Sequence, residues 1–324
     1  GNINTYTIYV AALLAISMIL FTQEKNQKRM FWYYGNMILT SFALIMGSSD
    51  NAYLSLAAIF GLAPLWLFQT KTGLRRYVIS LATFFTVILC INGINKAYAA
   101  SVLGIDSAFN LIAGTKFLPV LVVLLWVIAV VLIFMNRKPQ ALMNRTTDDS
   151  MNKIAVYIWI GVIAVVCLAV LFVLYDANLG GHADKYGALS SYVVFNDEWG
   201  TQRGYVWKRA MEIYTKKLNL LQKIFGYGPD TFALIMQYYY PGEMQNGRMV
   251  IFDSAHNEYL HYLVTTGFVG MASYLVFMVS SIVAMAKKIK EQPIVAAVMM
   301  AVLAYAIQAV VNINLPIAMP IILQ

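Results

Sequence analysis

Two side chains in this sequence could carry chemistry, the guanidinium of Arg203 and the imidazole of His256. A guanidinium presents a planar fork of donors that suits a phosphate or pyrophosphate. An imidazole titrates near neutral pH and can accept or hold a proton. His256 stands in the stretch Ser254 to Gly270, SAHNEYLHYLVTTGFVG. If a helix runs unbroken through Thr265-Thr266, His256 shares a face with Leu260, Leu263, Gly267 and Gly270, and the glycines let a neighbouring helix approach. The plainer reading of His256 is a hydrogen-bonded residue at a membrane boundary, and the residues alone leave both open.

Arg203 lies in a helical pattern from about Thr201 to Gln222. At about 100° per residue, Trp207, Ala210, Tyr214, Leu218 and Leu221 all fall within about 60° of it. Lys208, Arg209, Glu212 and Lys216 fall on the other side. Arg203 is thus predicted on the buried stripe, with its basic neighbours facing water. It is either an arginine snorkelling at an interface or a guanidinium aimed into a cleft. The helix is followed by Phe225-Gly226-Tyr227-Gly228-Pro229-Asp230, a tight turn by composition. It lacks the glycine-lysine ending and the preceding strand of a Walker loop.

Metal chemistry finds no support in the spacing. His256 and His261 are five residues apart, about 140° around a helix, whereas the HExxH pair needs a spacing of four. Asp148 and Asp149 are adjacent and read as a solvated loop, and no Asp-x-Asp pair occurs. Neither a metal nor a cofactor is expected. Cys90 and Cys167 fall inside apolar stretches and read as small core residues, not a disulfide.

The elements that must position these groups are membrane spans. Of 324 residues, 60% are hydrophobic and 12% charged, against about 25% charged in soluble domains. A hydrocarbon core of about 30 Å needs roughly 20 apolar residues, and such stretches recur. Eight spans are predicted, at Asn4–Thr22, Phe31–Gly47, Tyr53–Gln69, Tyr77–Ile94, Phe117–Met135, Ile154–Tyr175, Tyr259–Ala286 and Ile294–Val311. Gly61 and Pro64 interrupt the third, and Asn312 to Gln324 reads as the start of a truncated ninth. The expected fold class is an all-α, polytopic transmembrane helix bundle. Its divisions are 1–175, a large, mainly helical extracytoplasmic loop at 176–253, and the motif helix with the last spans at 254–324.

Charge sets the orientation. The loops after spans one, three, five and seven hold 13 of the 23 basic residues, among them Lys25, Lys71, Arg137 and Lys287, against four of the 15 acidic ones. The alternate loops hold 10 basic and 11 acidic residues. The first set is cytoplasmic by the positive-inside rule. The formal charge of +8 therefore reflects topology, and no nucleic-acid partner is expected. The N-terminus and the connection Asp176–Asp253 then lie outside. No cleavable signal peptide is visible. An outside N-terminus, a first residue that is glycine and an abrupt end predict a segment of a longer protein. The 176–253 connection is far longer than usual, which marks it as functional or disordered. Its aromatic residues (Tyr186, Trp199, Trp207 and Tyr238 to Tyr240) argue for order.

His256-Asn257, nine residues, then Gly267-Phe-Val-Gly270 resembles the signature of the O-antigen ligase and O-antigen polymerase superfamily. The upstream Arg203…Trp207…Ala210 helix and the Phe225-Gly-Tyr-Gly-Pro turn are similar to that family's loop, and the other spans match it in hydropathy. Members usually carry more spans than are read here. The resemblance implies a metal-independent, inverting glycosyl transfer at the outer side of the bacterial cytoplasmic membrane. The donor would be a glycan on undecaprenyl pyrophosphate and the acceptor a sugar hydroxyl of a glycan or glycolipid, both met at the lipid bilayer. By the same resemblance Arg203 would hold the departing pyrophosphate and His256 would orient or deprotonate the acceptor. Arg248, Asn257, Arg209 and Trp207 are carried as substrate-binding candidates.

The alternative from another class is a transporter or flippase of lipid-linked sugars. Transporters show ionisable residues in mid-span or paired repeats. None of the eight spans has a charge near its middle, and no repeat relates the halves. A sensor or scaffold without activity is the third reading.

Overall fold

The structure is a computed structural model that describes residues 3–135, 145–241, 252–289 and 292–312, with side chains described from 153 onward in the second stretch. Among the described residues it is helical throughout, with no strand. In chain order the helices are α1 (Ile3–Gln23), α2 (Gln27–Met46), α3 (Ala52–Leu62), α4 (Pro64–Leu67), α5 (Lys71–Ala97), α6 (Ser107–Ala113), α7 (Leu118–Met135) and α8 (Arg145–Asn178). Then come the short α9 (Ser190–Val193), α10 (Trp199–Glu212), α11 (Leu220–Phe225), α12 (Phe232–Tyr239), α13 (Glu258–Thr265), α14 (Gly267–Lys288) and α15 (Pro293–Gln308).

Among the described residues, six stretches are long and apolar enough to cross a membrane: α1, α5, α7, Lys153–Asn178 of α8, α14, and Pro293–Val311. The protein is thus a multi-pass membrane protein. Two other expected spans are helical but fall short of that measure. In α2, Lys28, Arg29, Tyr33, Tyr34 and Asn36 dilute the apolar run. The third expected span, Ala52–Leu67, is short and divided at Pro64 into α3 and α4. The segment from 313 onward, read as a truncated ninth span, lies outside the described residues.

The break at Pro64 follows from its missing N–H, which leaves the carbonyl of Phe60 without its intrahelical donor. In hydrocarbon such an orphan costs several kcal/mol, roughly. The Tyr77 hydroxyl of α5 donates to Phe60 O at 2.7 Å, and Trp159 Nε1 donates to the neighbouring Gly61 O at 2.7 Å. Phe68 joins them edge-on, with ring centroids 5.3 Å from Tyr77 and 5.6 Å from Trp159. Cys90 and Cys167 are free and lie on exposed helix faces, so the expectation of core cysteines is corrected: there lipid takes the place of a protein core.

The chain divides into two compact units, one on Gly1–Ile163 with Ile282–Gln308, the other on Ala164–Ser281 with Ala309–Asn314. In the first, α1 packs against α2, α3 and α15, and α5 against α2 and α7. The second has its own small core of Val206, Ala210, Ile213, Leu218, Phe232, Ile235, Met236, Ala255, Leu260 and Val264. The described part of the long connection, 176–241, therefore packs around an apolar core that it shares with α13, helped by the tilted rings of Phe195, Trp199 and Trp207.

Two expected helices are shorter than their patterns predict. The 201–222 helix begins at Arg203 in practice, because Gly200, Thr201 and Gln202 have left-handed backbone at φ 60°, 61° and 70°. It ends in a π turn at Ile213–Lys217. Leu218 is extended, and an Asn219–Gln222 capping box starts α11. Leu221, expected on the buried stripe, is exposed. The 259–286 span is likewise two helices. Thr265 and Thr266 bend their hydroxyls back to the carbonyls of His261 and Tyr262 at 2.7 and 2.8 Å, and Gly267 turns to φ +72°.

The Gly-Tyr-Gly turn docks at that break. Tyr227 N and Gly228 N both donate to the Thr265 carbonyl, at 2.9 and 2.8 Å. Gly226, also at φ +72°, lies backbone to backbone with Gly267. A Cβ on Gly226 would land on the Thr265 carbonyl, and one on Gly267 on the Ile224 carbonyl. Gly267 thus admits a turn, not a second helix, and Gly270 makes room for the Thr266 side chain. Gly267→Ala is expected to cost about 2 kcal/mol or more, from the clash and the left-handed backbone together. Gly35→Ala, in a helix with nothing near its Cβ position, should be neutral or slightly stabilising. Thermal unfolding of the detergent-solubilised variants checks the contrast; equal midpoints would refute it.

Candidate functional site

The second unit brings the 203–209 segment of α10 to the start of α13. Trp207 makes the join: its Nε1 donates to the carbonyl of Ala255 at 2.9 Å. Ala255 is fully buried, so the residue immediately before His256 is fixed from the side of α10. The backbone N–H of His256 donates to the Ser254 hydroxyl at 3.1 Å. His256 itself has φ 48°, an uncommon conformation for a residue with a side chain. It therefore precedes the motif helix instead of lying on its face, which corrects the expected alignment with Leu260, Leu263, Gly267 and Gly270.

This placement sets the protonation of His256. The imidazole is half-buried and its Nδ1 is enclosed, with no hydrogen-bond partner among the described residues. Burial holds its pKa below the ordinary imidazole value, and the positive charge of Arg203 lowers it further, partly opposed by Asp253. Both effects act in the direction of a neutral ring at physiological pH. Arg203 is therefore an electrostatic neighbour of His256. Its Nη1 donates to the carbonyl of Gly200 at 3.0 Å, which folds the guanidinium back over the left-handed run that opens α10.

Asn257 is the N-cap of α13: its Oδ1 accepts from Leu260 N at 3.0 Å. The side chain expected to touch substrate thus also sets where the helix begins. Arg209, expected to face water, is half-buried. Its guanidinium lies over the rings of Tyr240 at 4.7 Å and Tyr205 at 5.4 Å. It also pairs with Glu212 at 3.0 Å. Lys208 does face outward and pairs with Asp197 at 2.8 Å. Arg248 lies outside the described residues.

An apolar groove of ≈ 480 Å³ runs between α10 and α13. Trp207 and Asn257 line it together with Phe195, Lys208, Tyr259 and Leu260. Arg203 and His256 are not among its lining residues; His256 directly precedes Asn257, which is, and Arg203 lies one helical turn before Trp207. His261, the other histidine of the motif, is packed against the ring of Phe232 with centroids 5.4 Å apart. Burial lowers its pKa too, opposed by Asp230 and Asp253. Among the described residues no group of three His, Cys, Asp or Glu side chains is placed to hold a metal ion.

Two residues escaped the sequence reading. Glu258 is fully buried, and its charge together with burial pushes the Tyr259 phenol up to about 12, burial first. Its signal was the acidic residue directly after an N-cap asparagine, where the helix dipole favours a carboxylate. Ser254 left no such signal, since its hydroxyl acts on the backbone of His256 through a turn.

The capping role predicts that Asn257→Ala loses about 1 kcal/mol of stability, while Asn257→Ser retains most of it. Thermal unfolding of both variants tests this; equal loss in the two would show that capping is not what Asn257 contributes.

A family model described as O-antigen ligase matches residues 99–275 of this chain, more than half of its 324 residues. The match takes in α10, the Gly-Tyr-Gly turn, α13 and the start of α14. A comparison with the curated proteins finds no match. The chain belongs to the O-antigen ligase family.

Proposed function

We propose that this protein is a metal-independent, inverting glycosyltransferase of the bacterial cytoplasmic membrane. It moves a glycan from undecaprenyl pyrophosphate to a sugar hydroxyl on the extracytoplasmic side. Family membership supports an O-antigen ligase or polymerase type of reaction. The observation that carries the finer reading is the coupling of Arg203 to an imidazole whose pKa burial and that same guanidinium both lower, against Asp253.

A neutral imidazole is the form that can take a proton. In the proposed step His256 accepts the proton of the acceptor hydroxyl as its oxygen bonds to the anomeric carbon of the donor sugar. The bond from that carbon to the pyrophosphate oxygen breaks on the opposite face, which inverts the configuration. The bonding electrons leave with the pyrophosphate. Arg203 stabilises that growing negative charge, the contribution a fixed guanidinium makes best in a water-poor site. Each of the two groups is then used where its charge state is favourable. The left-handed backbone at Thr201, Gln202 and His256 supports the reading, because strain of this kind gathers where side-chain aim matters.

The groove beside Trp207 and Asn257 suits the bulk of a sugar or lipid with few charges. Arg209, Trp207 and Asn257 remain substrate-side candidates in this reading. Arg209 acts there through the Tyr205–Tyr240 sandwich, and Trp207 through its grip on Ala255. The basic loops 23–30 and 69–76 face the cytoplasm in the proposed orientation.

His256→Ala is expected to lower transfer by about 10² to 10⁴, and Arg203→Ala by about 10² to 10³. Both should still insert and express normally. Product analysis with lipid-linked oligosaccharide in a deletion background reads the result. The same assay shows whether chains lengthen or an acceptor is capped. Transfer should be unchanged by EDTA. Wild-type product from both variants would overturn the assignment, and EDTA inhibition reversed by magnesium or manganese would overturn the metal-independent mechanism.

A further inference from the structure

The first unit holds a second groove, of ≈ 520 Å³, whose contents no part of the proposed transfer uses. Its lining combines an apolar set, Phe21, Tyr34 and Ile79, with three cations, Lys25, Arg75 and Arg76. We propose that this groove binds the phosphate headgroup and upper acyl chain of an anionic phospholipid.

Position is the first support. The groove sits where three spans end at one level: α1 stops at Gln23, α5 starts at Lys71 and α7 stops at Met135. Such a level is the boundary between hydrocarbon and headgroups. Phe31 and Trp32 of α2, exposed at 66% and 72%, add aromatic rings of the kind that settle at that depth.

Charge is the second. Arg76 is fixed in place, donating from Nη1 to the carbonyls of Phe21 and Glu24 at 2.9 and 2.6 Å. Its guanidinium also lies 5.7 Å from the ring of Phe21. The nearest carboxylate, Glu24, accepts instead from the backbone N–H groups of Lys25 and Asn26, both at 2.8 Å. The Glu24 charge acts on Arg76 from a distance, but among the described residues no carboxylate forms a close ion pair with Lys25, Arg75 or Arg76. Three cations together with an apolar lining call for an anion with a hydrocarbon tail. A free phosphate would leave Phe21, Tyr34 and Ile79 uncovered. In the orientation proposed above, the lipid belongs to the cytoplasmic leaflet, where anionic headgroups attract basic residues.

The test is native mass spectrometry of the detergent-purified full chain with equimolar phosphatidylglycerol and phosphatidylcholine of matched acyl chains. The wild type should retain phosphatidylglycerol preferentially. Lys25→Gln with Arg75→Gln should lower that preference about fivefold per cation removed, leaving Arg76 to hold α1. If the double variant is not monodisperse, Lys25→Gln alone, on an exposed turn, should show a smaller loss in the same direction. Lys216→Gln with Lys217→Gln, both exposed, should change nothing. An absent preference in the wild type, or an unchanged one in the Lys25 and Arg75 variants, would overturn the proposal. So would displacement of the lipid by inorganic phosphate, which would make the site one for the free anion.

Discussion

A helix in hydrocarbon must satisfy its backbone polar groups within itself or through protein neighbours, and the motif segment meets that demand in two stages. Up to Thr265 it is a short helix, α13, packed on the small core of the second unit. From Gly267 it is a long apolar helix able to cross the membrane. Between the two, the Thr265 carbonyl accepts from Tyr227 N and Gly228 N of a distant turn. That pair of hydrogen bonds, possible only because Gly226 and Gly267 lack a Cβ, ties the loop to the span. Trp207 then ties α10 to Ala255 on the other side. His256 is held between these fixed points in a conformation it would not choose alone, and Arg203 is brought within electrostatic reach of it.

Much of the bilayer-related fold was legible because hydropathy acts over whole segments, and a few misjudged residues do not alter a 20-residue average. The six strongest apolar helices fall where the pattern put them. The two weaker ones show where the averaging stops being informative: Tyr33 and Tyr34 of α2 pack against the core of the first unit, and at Pro64 the Tyr77 hydroxyl supplies the donor that Phe60 O lacks while Trp159 donates to Gly61 O beside it. Those donors are distant in sequence, so periodicity has nothing to say about them.

The candidate site was legible in residue type and only partly in placement. His256-Asn257 and Gly267…Gly270 stood out as a spaced set, and Arg203 as a cation on an apolar stripe. Helical arithmetic then assumed continuous helices, and three short left-handed passages, at 200–202, at His256 and at Gly267, break that assumption. Single-residue conformations of this kind are set by what they pack against. Arg209 shows the same limit. On a helical wheel it faces water, but Tyr205 and Tyr240 close over it, and Tyr240 comes from the end of α12, about 30 residues further along the chain.

The transfer mechanism proposed for this O-antigen ligase family member depends on one coupling, that of the Arg203 charge to the His256 proton. The sequence contains three histidines, His182, His256 and His261, so histidine-labelled protein gives a spectrum simple enough to titrate site by site. Burial and the guanidinium both lower the His256 pKa, and removing the charge by Arg203→Gln should therefore raise it toward the ordinary value of about 6.5. A His256 titration identical in wild type and Arg203→Gln would mean that guanidinium and imidazole do not share a site, and would contradict the mechanism at its centre.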